Sequence, residues 1–182
     1  MALTYTPQAK LGETCPEFEL PSVEGKTYSL SDFKDKQALV VMFICGHCPY
    51  VQAIEERYIK LAKEFENSSV QFVGVCSNDA QDYPDDAPEA LLKRTKDKGY
   101  SFPYLIDESQ QVAKDFKAVC TPDIFVYDQD RKLYYRGRFD DSWKDEFKVE
   151  EPELKNALTS LLENKPAPED QVPSMGCSIK WK

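Results

Sequence analysis

Apolar residues fill positions 38–44 without a break, Ala-Leu-Val-Val-Met-Phe-Ile. A run this short and this rich in β-branched residues predicts a central strand covered on both faces. Beyond it Val51, Ile54, Tyr58, Leu61, Ala62 and Phe65 recur with a 3.6-residue period. That spacing predicts an amphipathic helix to about Glu66, stopped by Asn67-Ser68-Ser69. The apolar run at 70–75 predicts a second strand. Strand, helix and strand over 38–75 imply a right-handed parallel crossover.

The rest of the chain is read the same way. Residues 1–15 form a polar lead-in, 18–20 and 27–30 alternate around a Gly-containing turn as a short hairpin, and 31–33 make one helical turn. Residues 78–88 are acidic and proline-containing, a surface loop, and Asp86-x-x-Glu89 reads as the cap of a helix that runs to Lys98 and stops at Gly99. A short strand follows at 102–106. Ser109 is placed to cap a short helix carrying Val112, Ala113 and Phe116. Residues 124–127 and 133–136 flank a turn and predict a second hairpin. Residues 140–150 read as an acidic loop. Leu154, Ala157, Leu158, Leu161 and Leu162 predict a last helix, with Pro152 near its start and Asn164 at its end. The expected organisation is one domain over 1–164 and a tail over 165–182. The tail opens as a proline-containing linker, and its Met175, Ile179 and Trp181 predict that it packs back on the domain.

A length of 182 residues suits a single domain. Lys and Arg number 23 against 32 Asp and Glu, a net charge of −9 with no basic cluster. This balance excludes nucleic acid and anionic membrane from the expected partners. No apolar stretch approaches a membrane span, and the first seven residues lack the basic and apolar regions of a signal peptide. The expected location is therefore cytoplasmic. Six cysteines in a chain of this length do not make a secreted disulfide scaffold.

The candidate chemistry lies where the first strand meets its helix, at Cys45-Gly46-His47-Cys48. A C-x-x-C beside a strand–helix–strand pattern reads as a thiol–disulfide redox site. On a first helical turn, residues three apart face the same way, and a small shift brings two sulfurs within bonding distance. The unpaired N–H groups and the dipole of a helix N-terminus favour a thiolate. Cys45 is expected as the exposed nucleophile and Cys48 as the resolving thiol. The competing reading is half of a zinc site. It lacks a second C-x-x-C or histidine pair, since the other cysteines stand alone and His47 is the only histidine. No metal and no bound cofactor are expected. His47 is read as an imidazolium stabilising the Cys45 thiolate, which would make the pair a stronger oxidant.

The chain resembles the thioredoxin-like superfamily and, more narrowly, its redoxin branch, the alkyl hydroperoxide reductase/thiol-specific antioxidant-like domains. The resemblance covers about residues 10–163. It is carried by Gly12-Glu13-Thr14-Cys15-Pro16-Glu17-Phe18-Glu19-Leu20-Pro21, by the C-x-x-C, and by Thr121-Pro122 before a strand. Cys-Gly-His-Cys is also the active-site sequence of protein disulfide isomerases. The resemblance implies an α/β, thioredoxin-like three-layer sandwich with a mixed central sheet of about five strands, an N-terminal β-hairpin and a C-terminal helix. The strand order should be 103–106, 70–75, 38–44, 124–127, 133–137. It further implies a cis Pro122 against the C-x-x-C, with Thr121's backbone open to a substrate strand.

Two departures separate this chain from its relatives. Residues 38–44 hold no carboxylate where thioredoxins carry a buried acid. Peroxiredoxins carry P-x-x-x-T/S-x-x-C, and here the Pro position is Val41 and the Thr position is Cys45. The expected function is a thiol–disulfide oxidoreductase using Cys45 and Cys48, supported by Gly46, His47, Thr121 and Pro122. Its expected partners are a protein or small-molecule disulfide and a thiol or reductase electron donor. A peroxiredoxin-like antioxidant peroxidase and a non-catalytic thioredoxin-fold binding module are the alternatives. Topology puts Cys76 and Cys120 on the same sheet edge as the motif. Cys120 and Cys177 are candidate additional thiols, and Cys15 has no assigned place.

Overall fold

The computed structural model describes residues 3–182. In chain order its elements are β1 (Leu3–Tyr5), β2 (Glu19–Pro21), β3 (Thr27–Ser29), β4 (Ala38–Phe43), α1 (Pro49–Glu64), β5 (Val70–Cys76), α2 (Pro88–Lys98) and β6 (Tyr104–Ile106). They continue with α3 (Gln111–Asp115), β7 (Cys120–Thr121), β8 (Asp123–Tyr127), β9 (Leu133–Gly137), α4 (Glu153–Leu162) and β10 (Met175–Ser178). The central sheet has the order β6-β5-β4-β8-β9, as the sequence predicted. β4, β5 and β6 are parallel, and β8 and β9 run antiparallel to their neighbours.

β4 takes the centre because every one of its side chains is apolar and buried. Alternate residues of a strand face opposite sides. Val40 and Met42 therefore pack with Ile54, Tyr58, Leu91 and Leu158 of the three long helices. Leu39, Val41 and Phe43 pack with Phe18, Phe33, Val112 and Phe116 beneath the β2–β3 hairpin and α3. Helices, sheet, and hairpin with α3 make the three layers of a thioredoxin-like fold. Among the described residues, no helix is long and apolar enough to cross a membrane.

Register brings the chemistry to one edge. β4 and β8 are antiparallel with Phe43 opposite Asp123. The residues after β4 and those before β8 therefore leave the sheet side by side, which sets Cys45 beside Thr121-Pro122. The Thr121–Pro122 peptide is cis.

The structure departs from the sequence reading at four places. The lead-in is not simply a polar segment: β1 pairs with β10, and β10 pairs with β7, in a second, three-stranded sheet. The C-x-x-C does not lie on a first helical turn. Pro49 occupies the first position of α1, a place that suits a residue with no N–H, and Cys48 is the N-cap. Asp86 does not cap α2, because Ala87 holds that position and Asp86 points inward. Gln110 and not Ser109 directly precedes α3, although the Ser109 hydroxyl accepts from the Gln111 N–H at 3.2 Å, and the buried Asp107 carboxylate accepts from the Ala113 N–H at 2.9 Å.

The base of the cis-proline turn rests on a buried ion pair. Arg136 donates to both carboxylate oxygens of Asp123, at 3.2 and 2.8 Å, and to the Lys117 carbonyl at 2.8 Å. Removing one partner of such a pair strands the other charge. Arg136→Met is expected to cost about 3–5 kcal/mol by urea denaturation, and the double variant with Asp123→Asn to recover part of it. A loss under about 1 kcal/mol would show that the pair holds nothing in place.

Candidate active site around Cys45 and Cys48

Thr121 joins the two cysteines. Its hydroxyl lies 3.2 Å from the Cys45 sulfur, and its carbonyl oxygen accepts from the Cys48 thiol, also at 3.2 Å. The tail pairs with the same residue. β10 runs antiparallel to β7 with Cys177 opposite Thr121 and Ser178 opposite Cys120. Ser174 donates to the Pro122 carbonyl at 2.7 Å, and the Ile179 N–H donates to the Val119 carbonyl at 3.1 Å.

The tail changes the access expected from sequence. Cys45 is only 2 % exposed and Cys48 is 0 % exposed. Cys45 is thus not an exposed nucleophile, since the strand that covers the edge is the chain's own. Beside this cover, Tyr50, Pro122, Trp143 and Met175 line a cleft of about 410 Å³.

The surroundings of the two sulfurs differ. A hydrogen bond from Cys45 favours the Cys48 thiolate, burial opposes it, and the Cys177 thiol, the Val51 N–H and the Cys177 backbone add to the favourable side. Cys48 sits at the N-cap, where α1's first N–H groups and its dipole face the sulfur. These groups outweigh burial and bring Cys48 down to about 5. Cys45 is pushed well above the ordinary thiol range by its hydrogen bond to Cys48, by burial and by the Asp86 charge. The helix begins after Cys48 and not at Cys45, so its field adds to the Cys45 hydrogen bond in favouring a thiolate at Cys48.

The other half of the motif turns toward Asp86, which is 2 % exposed. Its carboxylate accepts from the Gly46 N–H at 2.6 Å, the His47 N–H at 3.2 Å and Asn78 at 2.8 Å. The His47 Nδ1 lies 2.7 Å from it. Burial pushes this carboxyl up, but the bonds from His47, Asn78 and Gly46 prevail and hold it below the usual carboxylate range. His47 stacks on Tyr83 with ring centroids 4.6 Å apart. Its Nδ1 is directed to Asp86 and not to Cys45 as the sequence suggested. Gly46 is required for this approach, because a Cβ there would overlap the Asp85 carbonyl oxygen.

Cys45, His47 and Asp86 offer donor atoms within 4.8 Å of one another, a set that could hold a metal ion. A structural zinc takes four ligands, and here Nδ1 and the carboxylate already engage each other. Cys120 is near the pair, but its thiol is turned to the Pro122 carbonyl at 3.7 Å, and burial pushes it up. Cys76 is buried in the layer of the motif, and burial raises its thiol too. Cys15 belongs to the opposite layer.

Sequence reasoning missed Asp86, Asn78 and Tyr83, all in a stretch read as surface loop. The one signal available was His47, the only histidine, which needs an acidic or polar partner when half-buried.

Comparison with known proteins agrees with this architecture. The family model described as "AhpC/TSA family" matches residues 11–136. Peroxiredoxin Bcp of Escherichia coli is 28% identical over 109 residues, which span 59% of this chain and 64% of that protein. The match thus covers less than two thirds of this curated relative. An uncharacterized conserved protein from Geobacillus kaustophilus has a similar structure, with TM-score 0.95 and 44% identity over 100% of this chain and 97% of its own. A hypothetical protein from Sinorhizobium meliloti 1021 gives TM-score 0.94 and 41% identity over 98% of each chain.

The Asp86 network predicts a pH signature. A carboxyl whose folded pKa is depressed stabilises the fold above its unfolded pKa, and that stability is lost as pH falls through the folded value. Asp86→Asn is therefore expected to be less stable than the parent near neutral pH by at least about 2 kcal/mol in urea denaturation, with the gap closing in acid. An equal gap at both pH values would mean that the charge contributes nothing.

Proposed function

The chain belongs to the AhpC/TSA family, and within that family we propose that it is a thiol–disulfide oxidoreductase with Cys45 and Cys48 as the exchanging pair. The observation that carries this reading is the shared contact of both sulfurs with Thr121, at 3.2 Å each. Two thiols held on one residue at a helix N-terminus are placed to join and part without rearranging the sheet.

The Cys48 thiolate attacks one sulfur of a client disulfide, and the other client sulfur leaves as a thiolate that takes its proton from solvent. Cys45 then attacks the Cys48 sulfur of the mixed disulfide and releases the reduced client. The proton on Cys45, held there by burial and by the Asp86 charge, passes to the departing client sulfur. A thiol or a reductase returns two electrons to the Cys45–Cys48 disulfide. Run backwards, the same steps oxidise a client dithiol. Gly46 and His47 act by fixing the loop on Asp86, and Pro122 by aiming Thr121. The cleft at Pro122, lined by Tyr50, Trp143 and Met175 together with Arg138 and Asp140, receives a client side chain in this reading.

Peroxide reduction is the second reading, and one observation favours it. Cys48-Pro49 opens a helix, as the reactive cysteine of a peroxiredoxin does, and its thiol is the depressed one. The hydroxyl that should stand at position 45 is a thiol here, which weakens the reading.

Two measurements test the proposal. In the reduced protein, ultraviolet thiolate absorbance should titrate below the ordinary cysteine range. Cys48→Ser should abolish that signal, and Cys45→Ser should retain it at higher pH. In an insulin-reduction assay Cys48→Ser should fall to the uncatalysed background, and the double variant Cys45→Ser with Cys177→Ser should accumulate a mixed disulfide through Cys48. Full activity in either variant would remove the dithiol mechanism. Rapid peroxide consumption with a sulfenic acid at Cys48 would favour the second reading.

A further inference from the structure

The edge beside the cis-proline is already paired in this protein. β10 lies along β7 as an added antiparallel strand, and β1 covers its other side. The approach is as close as two backbones allow: a Cβ on Gly176 would overlap the Thr121 carbonyl oxygen and meet Pro122 Cδ at 3.1 Å. Bonds on both sides hold the strand there: the Ser174 N–H donates to the Thr6 hydroxyl and the Lys180 N–H to the Asn78 side-chain oxygen. The residue this strand sets opposite Thr121 is a cysteine, Cys177.

Cys48 therefore has a thiol on each side. Its sulfur contacts Thr121, whose hydroxyl touches Cys45 and whose strand partner is Cys177. Cys45, Cys48 and Cys177 share one buried cluster, and Cys48 is hydrogen-bonded to both of the others. Cys120 is excluded from this contact because its thiol faces the Pro122 carbonyl.

We propose that Cys177 is a third redox thiol, which takes the disulfide over from Cys45 and turns the Cys45–Cys48 bond into a Cys48–Cys177 bond. The proposal rests on the exchange-pair reading above. The sulfur of Cys177 attacks the sulfur of Cys48, the S–S bond to Cys45 breaks, and Cys45 leaves with the electron pair. The proton lost by Cys177 ends on Cys45. One disulfide and one thiol stand on each side of the step, so no outside oxidant or reductant is consumed. The high affinity of Cys45 for its proton and the burial that holds Cys177 up to about 12 make this a proton-coupled exchange, with no charge left in the core. The second disulfide ties the tail to the site, and the first leaves the tail held by noncovalent contacts alone.

The test is disulfide mapping of the full chain. The reduced protein is oxidised with glutathione disulfide and quenched in acid. Remaining thiols are then blocked with N-ethylmaleimide in denaturant, and the tryptic peptides are analysed by mass spectrometry. Cys45–Cys48 stays within one peptide, and Cys48–Cys177 joins two. The wild type should carry the two-peptide link, and Cys45→Ser should carry it as its principal disulfide. Gly176→Val, which keeps every thiol but lifts the strand, should lose it and retain Cys45–Cys48. In Cys177→Ser all of the active-site disulfide should be Cys45–Cys48. If Cys177→Ser carries that bond while neither the wild type nor Cys45→Ser yields the two-peptide link, the third-thiol proposal is overturned and the exchange pair stands. If Cys177→Ser forms no Cys45–Cys48 bond, the exchange pair itself is wrong, and the third thiol falls with it for want of a disulfide to receive.

Discussion

Thr121 is the point on which the site turns. One residue touches Cys45 with its hydroxyl and Cys48 with its carbonyl, while its strand pairs with the tail. No part of this arrangement is local in sequence: the motif, the cis-proline turn and the tail come from three separate stretches. The sheet brings the first two together through the pairing of Phe43 with Asp123. The second sheet brings in the third. A buried polar cluster of this kind holds only if its members satisfy one another, because an unmet group in the interior costs more than the bond it would have made.

Two electrostatic arrangements flank that point, and they oppose each other. On the α1 side, N–H groups and neighbouring thiols draw negative charge onto Cys48. On the other side, the buried Asp86 carboxylate discourages charge on Cys45. His47 belongs to the second arrangement, bonded to Asp86 and stacked on Tyr83. The protein thus separates the pair into a sulfur that ionises readily and one that keeps its proton, as an exchange reaction requires. The carboxylate absent from 38–44 is supplied instead from the turn before α2, and it sits on the side of the other cysteine.

Much of this was legible in the sequence, and the remainder has identifiable physical reasons. Uninterrupted apolar residues at 38–44 and the 3.6-residue period after Cys48 located the central strand and its helix. The order of the five strands followed from them and from the resemblance. The pair Cys45 and Cys48, and Thr121-Pro122, were visible as motifs. Periodicity could not show the second sheet, since β7 has two residues and β1 three, too few to display a pattern. It also could not show that Asp86 turns inward. Asp86-x-x-Glu89 fits a capping box, and only the tertiary demand of the Gly46 and His47 N–H groups overrides it. Pro49 fixes the helix start and hence which sulfur receives the helix field.

The central claim is that Cys45 and Cys48 form a reversible couple whose reduced form is stabilised by the Cys48 thiolate. Stabilising the reduced form raises the potential. The most direct measurement is a redox titration against glutathione buffers, following the two cysteines by maleimide labelling and mass spectrometry. The account predicts a reversible two-electron couple more oxidising than about −270 mV, the value for thioredoxin. A couple at or below that value would contradict the thiolate argument, and the absence of any reversible couple between these two sulfurs would contradict the account as a whole.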